Sequence, residues 1–207
     1  SQATILIGND GDSFNTCLTT EQIATIWDAA ATDTVLNWSD VGESLPDQPL
    51  TLFGIGSTAA DEVSGNIYTD LLLNPLGENI EAIVRADTEF STDALFRAAA
   101  TANVSGALTY MSWVDYLDVR DNDQNNIRFL AVDAGNGCSI PSEDAILNGN
   151  YPLSSSLTLV VRKSSLLDVV VQSYLWSLFS DSNIARLEND DFIGLNDLDL
   201  PDLREDL

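Results

Sequence analysis

The chain has 207 residues, of which 33 are acidic, 8 are basic and none is histidine, giving a formal net charge of −25 at pH 7. Such a surface repels nucleic acid and anionic membranes over a Debye length and lacks the basic footprint that DNA or RNA binding needs. Without histidine, Ser-His-Asp and Cys-His catalysis are excluded within the chain, and the commonest zinc ligand is missing.

A hydrophobic content of 44% supports a packed core, and the length fits one large domain or one and a half small ones. No run of 18 apolar residues occurs, so no membrane-spanning helix is expected. The chain opens on Ser1 without a recognisable signal peptide, which reads as a mature protein or a cut-out fragment.

Residues 4–8 (TILIG) read as a buried strand ending at glycine, followed by the turn-rich NDGDSFNTC. Thr19 or Thr20 caps a helix to about Asp28, with Ile23, Ile26 and Trp27 on one face. A polar loop (37–49) leads to a second strand, LTLFGIG, which runs into Gly54 and Gly56. Residues 58–75 read as one or two helices broken at Gly65 and Pro75. A helix is expected over 90–102, capped by Asp87 or Thr88, then a strand at 106–111 and a short helix at 112–119. A turn (121–126) precedes a strand at 127–133, a loop at 135–142 and a short helix at 143–149. The apolar run 156–163 reads as a strand, and 165–180 as a helix with Leu166, Val170, Tyr174 and Leu178 on one stripe.

Strands and helices alternate, which predicts an α/β fold with a mixed, mostly parallel sheet flanked by helices. The domain is expected over 1–181, with 182–207 as an acidic tail carrying Leu195, Leu198, Leu200, Leu203 and Leu207. That tail either folds back on its own domain or docks a partner. Asp and Asn alternate at NDGDS (9–13) and DNDQNN (121–126), as in calcium loops, but no Glu follows at the EF-hand position. Turn chemistry accounts for both stretches, and no metal or cofactor is expected. Many carboxylates make accidental pairs inevitable, but none is fixed at a glycosidase-like site, so no catalysis is expected. Cys17 and Cys138 are too few and too distant for a zinc cluster; spacing alone leaves either two unrelated thiols or a cross-link.

Three segments in this order carry a resemblance: DSFNTCLTTEQIATIWDAA with NWSDV and LPDQPLTLFGIGS; NVSGALTYMSWVDY; and AVDAGNGCSIPSEDAILNGNYPLSSSLTLVV. Together they resemble the phosphate-type solute-binding proteins of ABC importers, over roughly residues 4–165. The resemblance implies one lobe of a type II periplasmic-binding-protein fold, with a first-lobe segment preceding the point that matches Ala3. It implies a disulfide between Cys17 and Cys138 and hence an oxidising, extracytoplasmic location: periplasm, cell surface or medium. It also implies a small anion such as phosphate as ligand, and a transporter membrane subunit or an extracellular protein as partner.

The family's anion site follows its LFG-G strand as Gly-Thr-Asp-Ser-Gly-Thr, where hydroxyls and helix N-terminal amides hold the anion. Here Gly56, Ser57 and Thr58 are the matching candidates, with Ser91 and Thr92 as further ones. Ala59, Ala60 and Asp61 replace Ser-Gly-Thr, and Glu62 follows, so the implied anion site is degraded. A carboxylate about 4 Å from a bound anion costs roughly 4 kcal/mol at an effective dielectric of 20. A shift of one or two residues would place Ser57 and Thr58 at the helix start as a weaker neutral site. The alternative is an interaction or sensing module that keeps the fold without phosphate binding.

Overall fold

The structure is a computed structural model that describes residues 2–14, 16–55, 85, 87–121, 126–156 and 159–189. The expected helices at 58–75, most of the 121–126 turn and most of the tail lie outside the described residues.

The fold is a mixed α/β sheet with helices packed on it. β1 (Gln2–Asn9) lies inside the sheet, buried along nearly its whole length, which is why its centre, Ile5, Leu6 and Ile7, is apolar without alternation. The strand order is β4 (Glu89–Phe90), β3 (Thr51–Gly54), β5 (Ala107–Ser112), β1, β6 (Ile127–Phe129). β3 pairs in parallel with both β4 and β5, whereas β1 pairs antiparallel with β5 and β6. β9 (Ser154–Ser155) extends the sheet by pairing with Gln2 and Ala3 at the start of β1. A second, three-stranded sheet has the order β2 (Cys17–Thr19), β7 (Ala131–Asp133), β8 (Cys138–Ser139).

The single strand expected at 127–133 is two strands in two sheets. Leu130 donates its N–H to the Leu6 carbonyl of β1, and Ala131 donates to Thr16 beside β2. The chain therefore changes partner between consecutive residues, with Leu130 fully buried at the crossover.

α1 (Thr20–Trp27) starts where the sequence places it. Thr19 Oγ1 accepts the Gln22 N–H and the Gln22 side chain accepts the Thr19 N–H, a capping box worth on the order of 1 kcal/mol. The loop at 37–49 contains a helical turn, α2 (Trp38–Val41), which buries Trp38 completely. α3 (Ala94–Asn103) begins later than the expected 90–102, and its cap is Asp93, not Asp87 or Thr88. Residues 89 and 90 are held in the sheet against Phe53 and Gly54, so the helix cannot start before them. α4 (Trp113–Asp121) and α5 (Glu143–Leu147) follow the expected positions, α5 capped by Ser142.

The YPL turn also has a physical role. Tyr151 is buried with its hydroxyl donating to the Thr4 carbonyl, and Thr4 returns its N–H to the Leu153 carbonyl. The turn is thus stitched to β1 from both sides.

Two expectations at the C-terminal end are corrected. Residues 159–162 form no strand: β9 ends at Ser155, and Val160 is 87% exposed. The helix expected over 165–180 is a 3-10 turn (Lys163–Leu167) followed by α6 (Val169–Leu178), and α7 (Asp181–Asn189) covers the start of the expected tail. On α6 only Leu175 is buried, while Val170 and Tyr174 of the expected stripe are 76% and 62% exposed. The apolar run is real, but the described sheet offers it no surface to pack on.

One knot ties these elements together. The Asp12 carboxylate is buried; Oδ2 accepts the Gly106 N–H at 2.6 Å and Oδ1 accepts the Ser105 hydroxyl at 2.6 Å. The Gly106 carbonyl then accepts the Trp38 indole N–H at 2.9 Å and the Thr51 N–H at 3.3 Å. Gly106 has φ +80, and a Cβ there would run into the Pro49 carbonyl. Gly106→Ala is therefore expected to destabilise the chain by roughly 3 kcal/mol or more, read as a lower midpoint in urea. A midpoint within about 0.5 kcal/mol of the parent would remove this knot from the account of the fold.

Candidate functional site

The parallel strands β4, β3 and β5 run in the same direction, so their carboxyl ends form one edge, where ligands sit in open α/β sheets. Thr88, Phe90 and Gly54 meet there. A Cβ on Gly54 would lie 2.8 Å from the Phe90 ring and 3.1 Å from the Thr88 methyl, so glycine lets the strand approach these side chains. Trp27, at the end of α1, packs edge-to-face on Tyr110 with ring centroids 5.1 Å apart. The Trp27 indole N–H and the Thr88 hydroxyl are buried without a hydrogen-bond partner.

Ser91 and Thr92 are brought to this edge. Ser91 donates its N–H to the Gly54 carbonyl at 3.1 Å, which sets it beside the exit of β3. Its hydroxyl accepts the Asp93 N–H, and Asp93 Oδ1 accepts the Phe96 N–H. The N-terminal turn of α3 is thus served by its own side chains, with a carboxylate already at the positive end of the helix dipole. Thr92 is exposed. Gly56, Ser57 and Thr58, together with the substituted positions 59–62, lie outside the described residues.

Two arginines that the sequence analysis counted only as charge hold the edge from beneath. Arg85 is 2% exposed; it donates to the Ile26 and Val35 carbonyls at 2.8 Å each and to both oxygens of Asp87. It clamps the end of α1 to the segment entering β4. Arg97, 1% exposed, donates to the Ser91 carbonyl at 2.6 Å and so fixes the Ser91–Thr92 backbone from α3. Burial of these two residues leaves no signal in hydropathy patterning, because charged residues read as surface.

Cys17 and Cys138 form a disulfide with Cα atoms 6.1 Å apart, joining β2 to β8 across the small sheet. The bond closes a loop with a sequence separation of 121, worth roughly 4–5 kcal/mol in the chain-entropy account. The NDGDS turn is structural, since the Asp12 carboxylate is taken up by Ser105 and Gly106. Among the described residues no group of three or more metal-ligating side chains occurs, and no helix is long and apolar enough to cross a membrane.

No family model matches the chain. Among curated proteins it is similar to the protein SphX of Synechocystis, 26% identical over 167 residues, which covers 80% of this chain and 46% of that protein. SphX of Synechococcus elongatus is 24% identical over 160 residues, covering 76% of this chain and 44% of that protein. The chain therefore spans less than half the length of these relatives. Among solved structures, a possible phosphate binding protein from Planctomyces limnophilus superposes with a TM-score of 0.78 at 18% identity, covering 99% of this chain and 68% of that one. PstS from Borrelia burgdorferi gives a TM-score of 0.70 at 21% identity, covering 94% and 70%. This chain shares its fold with those two proteins over the parts covered.

The Arg85–Asp87 pair has a pH signature. Hydrogen bonding to Arg85 holds the Asp87 carboxyl below its ordinary value. A depressed folded-state pKa contributes stability that is present above the unfolded value, about 4, and is lost as pH falls through the folded one. Acid titration of the melting temperature should show this loss below about pH 4, and Asp87→Asn should flatten it. An unchanged acid limb in that variant would show that the pair adds nothing to stability.

Proposed function

We propose that the chain is the ligand-binding lobe of an extracytoplasmic solute-binding protein of the kind that serves phosphate-type ABC importers, with a reduced anion site. The observation that carries this reading is the carboxyl edge of β3 and β4. There Ser91 and Thr92 are fixed by Gly54 and Arg97 at the start of a ten-residue helix, in a fold shared with phosphate-binding proteins. Ser57 and Thr58 would complete the donor set from the chain that leaves β3. The disulfide supports an oxidising compartment. The site carries no catalytic constellation on this reading: it binds, and a transporter membrane subunit is the partner.

The exposed apolar stretch from Leu159 to Trp176 supports a further element of the reading. Leu167 is 86% exposed and Val170 76%, an apolar area of the kind that is covered in a complete binding protein. We read this stretch as the surface against which a second lobe packs.

A second reading, a sensing or interaction module that kept the fold, is favoured by one observation. Asp93 already occupies the helix end where the anion would gain most. Equilibrium dialysis with labelled phosphate separates the two. The binding reading expects saturable uptake in the millimolar range or tighter, weakened at least tenfold by Ser91→Ala combined with Thr92→Ala. Absence of uptake up to millimolar phosphate would leave the interaction module as the surviving reading.

A further inference from the structure

The charge distribution around this edge adds a property that rests on the anion-binding reading. Asp87, Glu89 and Asp93 fall within seven residues around Ser91 and Thr92, and Glu89 and Asp93 are exposed. The nearest basic residues in sequence, Arg85 and Arg97, are both buried and directed at Asp87 and at backbone carbonyls. They hold the fold and offer no cationic lip to an approaching anion. The other basic side chains among the described residues sit on different elements: Arg120 pairs with Asp121, Arg128 lies in β6, Arg162 and Lys163 precede α6, and Arg186 lies in α7. An anion approaching Ser91 thus meets local carboxylates and, beyond them, the field of a chain carrying −25.

We propose that ionic strength controls ligand capture at this edge, with anion affinity rising as salt rises. Screening ordinarily weakens the binding of anions, because most anion sites attract them through basic residues. Here the sign is reversed. Treating the chain as a sphere of ~20 Å radius, the Debye length shrinks from ~8 Å at 0.15 M to ~3 Å at 1 M. The depletion of a singly charged anion at the surface then eases by roughly fourfold, and that of a doubly charged one by roughly 15-fold. The doubly charged form of a phosphate-like ligand gains most, so the preferred ligand changes with the medium as well as the affinity.

The test uses the 207-residue chain and labelled inorganic phosphate. The dissociation constant is measured by equilibrium dialysis in 0.15 and 1 M sodium gluconate at pH 8, with far-UV circular dichroism and a thermal melt at both salts. The expected result is a folded chain at both salts and binding about tenfold tighter at the higher one. Asp93→Asn keeps the helix cap while removing one charge beside the site. It should tighten binding at 0.15 M by about twofold or more and match the parent at 1 M. Affinity that is flat or falls with salt, or an Asn variant no tighter at low salt, overturns the proposal while leaving anion binding intact. A gain that follows recovery of the folded dichroism spectrum also overturns it, because folding and not screening would then be the cause. Absence of binding at either salt overturns the anion reading itself, and this proposal with it.

Discussion

The buried carboxylate of Asp12 is the constraint on which the arrangement of this lobe turns. It lies in the turn after β1, yet its partners, Ser105 and Gly106, open β5, more than ninety residues away. Through the Gly106 carbonyl the same node reaches Trp38 and the start of β3. Three segments distant in sequence are thereby fixed relative to one another before any apolar packing is considered. Removing a partner from such a node leaves a charged or polar group buried and unpaired, which is why it acts as a single unit. The alignment of β3 with β5, and hence the edge where Ser91 sits, follows from it.

Local chemistry in this chain was readable where a residue acts on its near neighbours. The cap at Thr19 and the entry of β3 into Gly54 each rest on residues within a few positions of one another. Legibility failed where the deciding partner is remote. Nothing in IRFLAVD announces that Leu130 belongs to one sheet and Ala131 to another, because both are apolar and both are buried. The run at 156–163 has a strand's composition, but composition cannot supply the neighbouring strand it would need. The stripe on α6 shows the same limit from the other side: periodicity marks a face to be covered without saying by what. The Cys17–Cys138 bond was legible through the resemblance, and Ser91, expected to line a ligand cleft, lies beside the exit of β3. Arg85 and Arg97 were not legible, since their meaning lies in the carbonyls they reach.

On the proposed reading, the edge of β3 and β4 is an anion site that has lost strength without losing shape. The helix remains, the serine remains and the backbone is still braced by an arginine. What differs is who uses the helix N-terminus. Asp93 takes the amide of Phe96, and a carboxylate in that place is favourable to the helix for the same electrostatic reason that a bound anion would be. Stability and ligand affinity thus compete for one set of donors.

The disulfide sets how this lobe would respond to mechanical tension. Cys17 and Cys138 enclose α1, β3, α3, β5 and β7 in one covalent ring, whereas the whole of β1 and everything after β8 lie outside it. Tension between the two ends therefore reaches the ring through the sulfur bridge and cannot draw out the contour stored within, on the order of 400 Å at about 3.5 Å per residue. Only the segments outside the ring can be drawn out: β1, which leaves β5, β6 and β9 through antiparallel seams, and the chain that follows β8. Under load the molecule behaves as an inextensible bead, and its compliance resides in the two segments that lead into and out of the bridge.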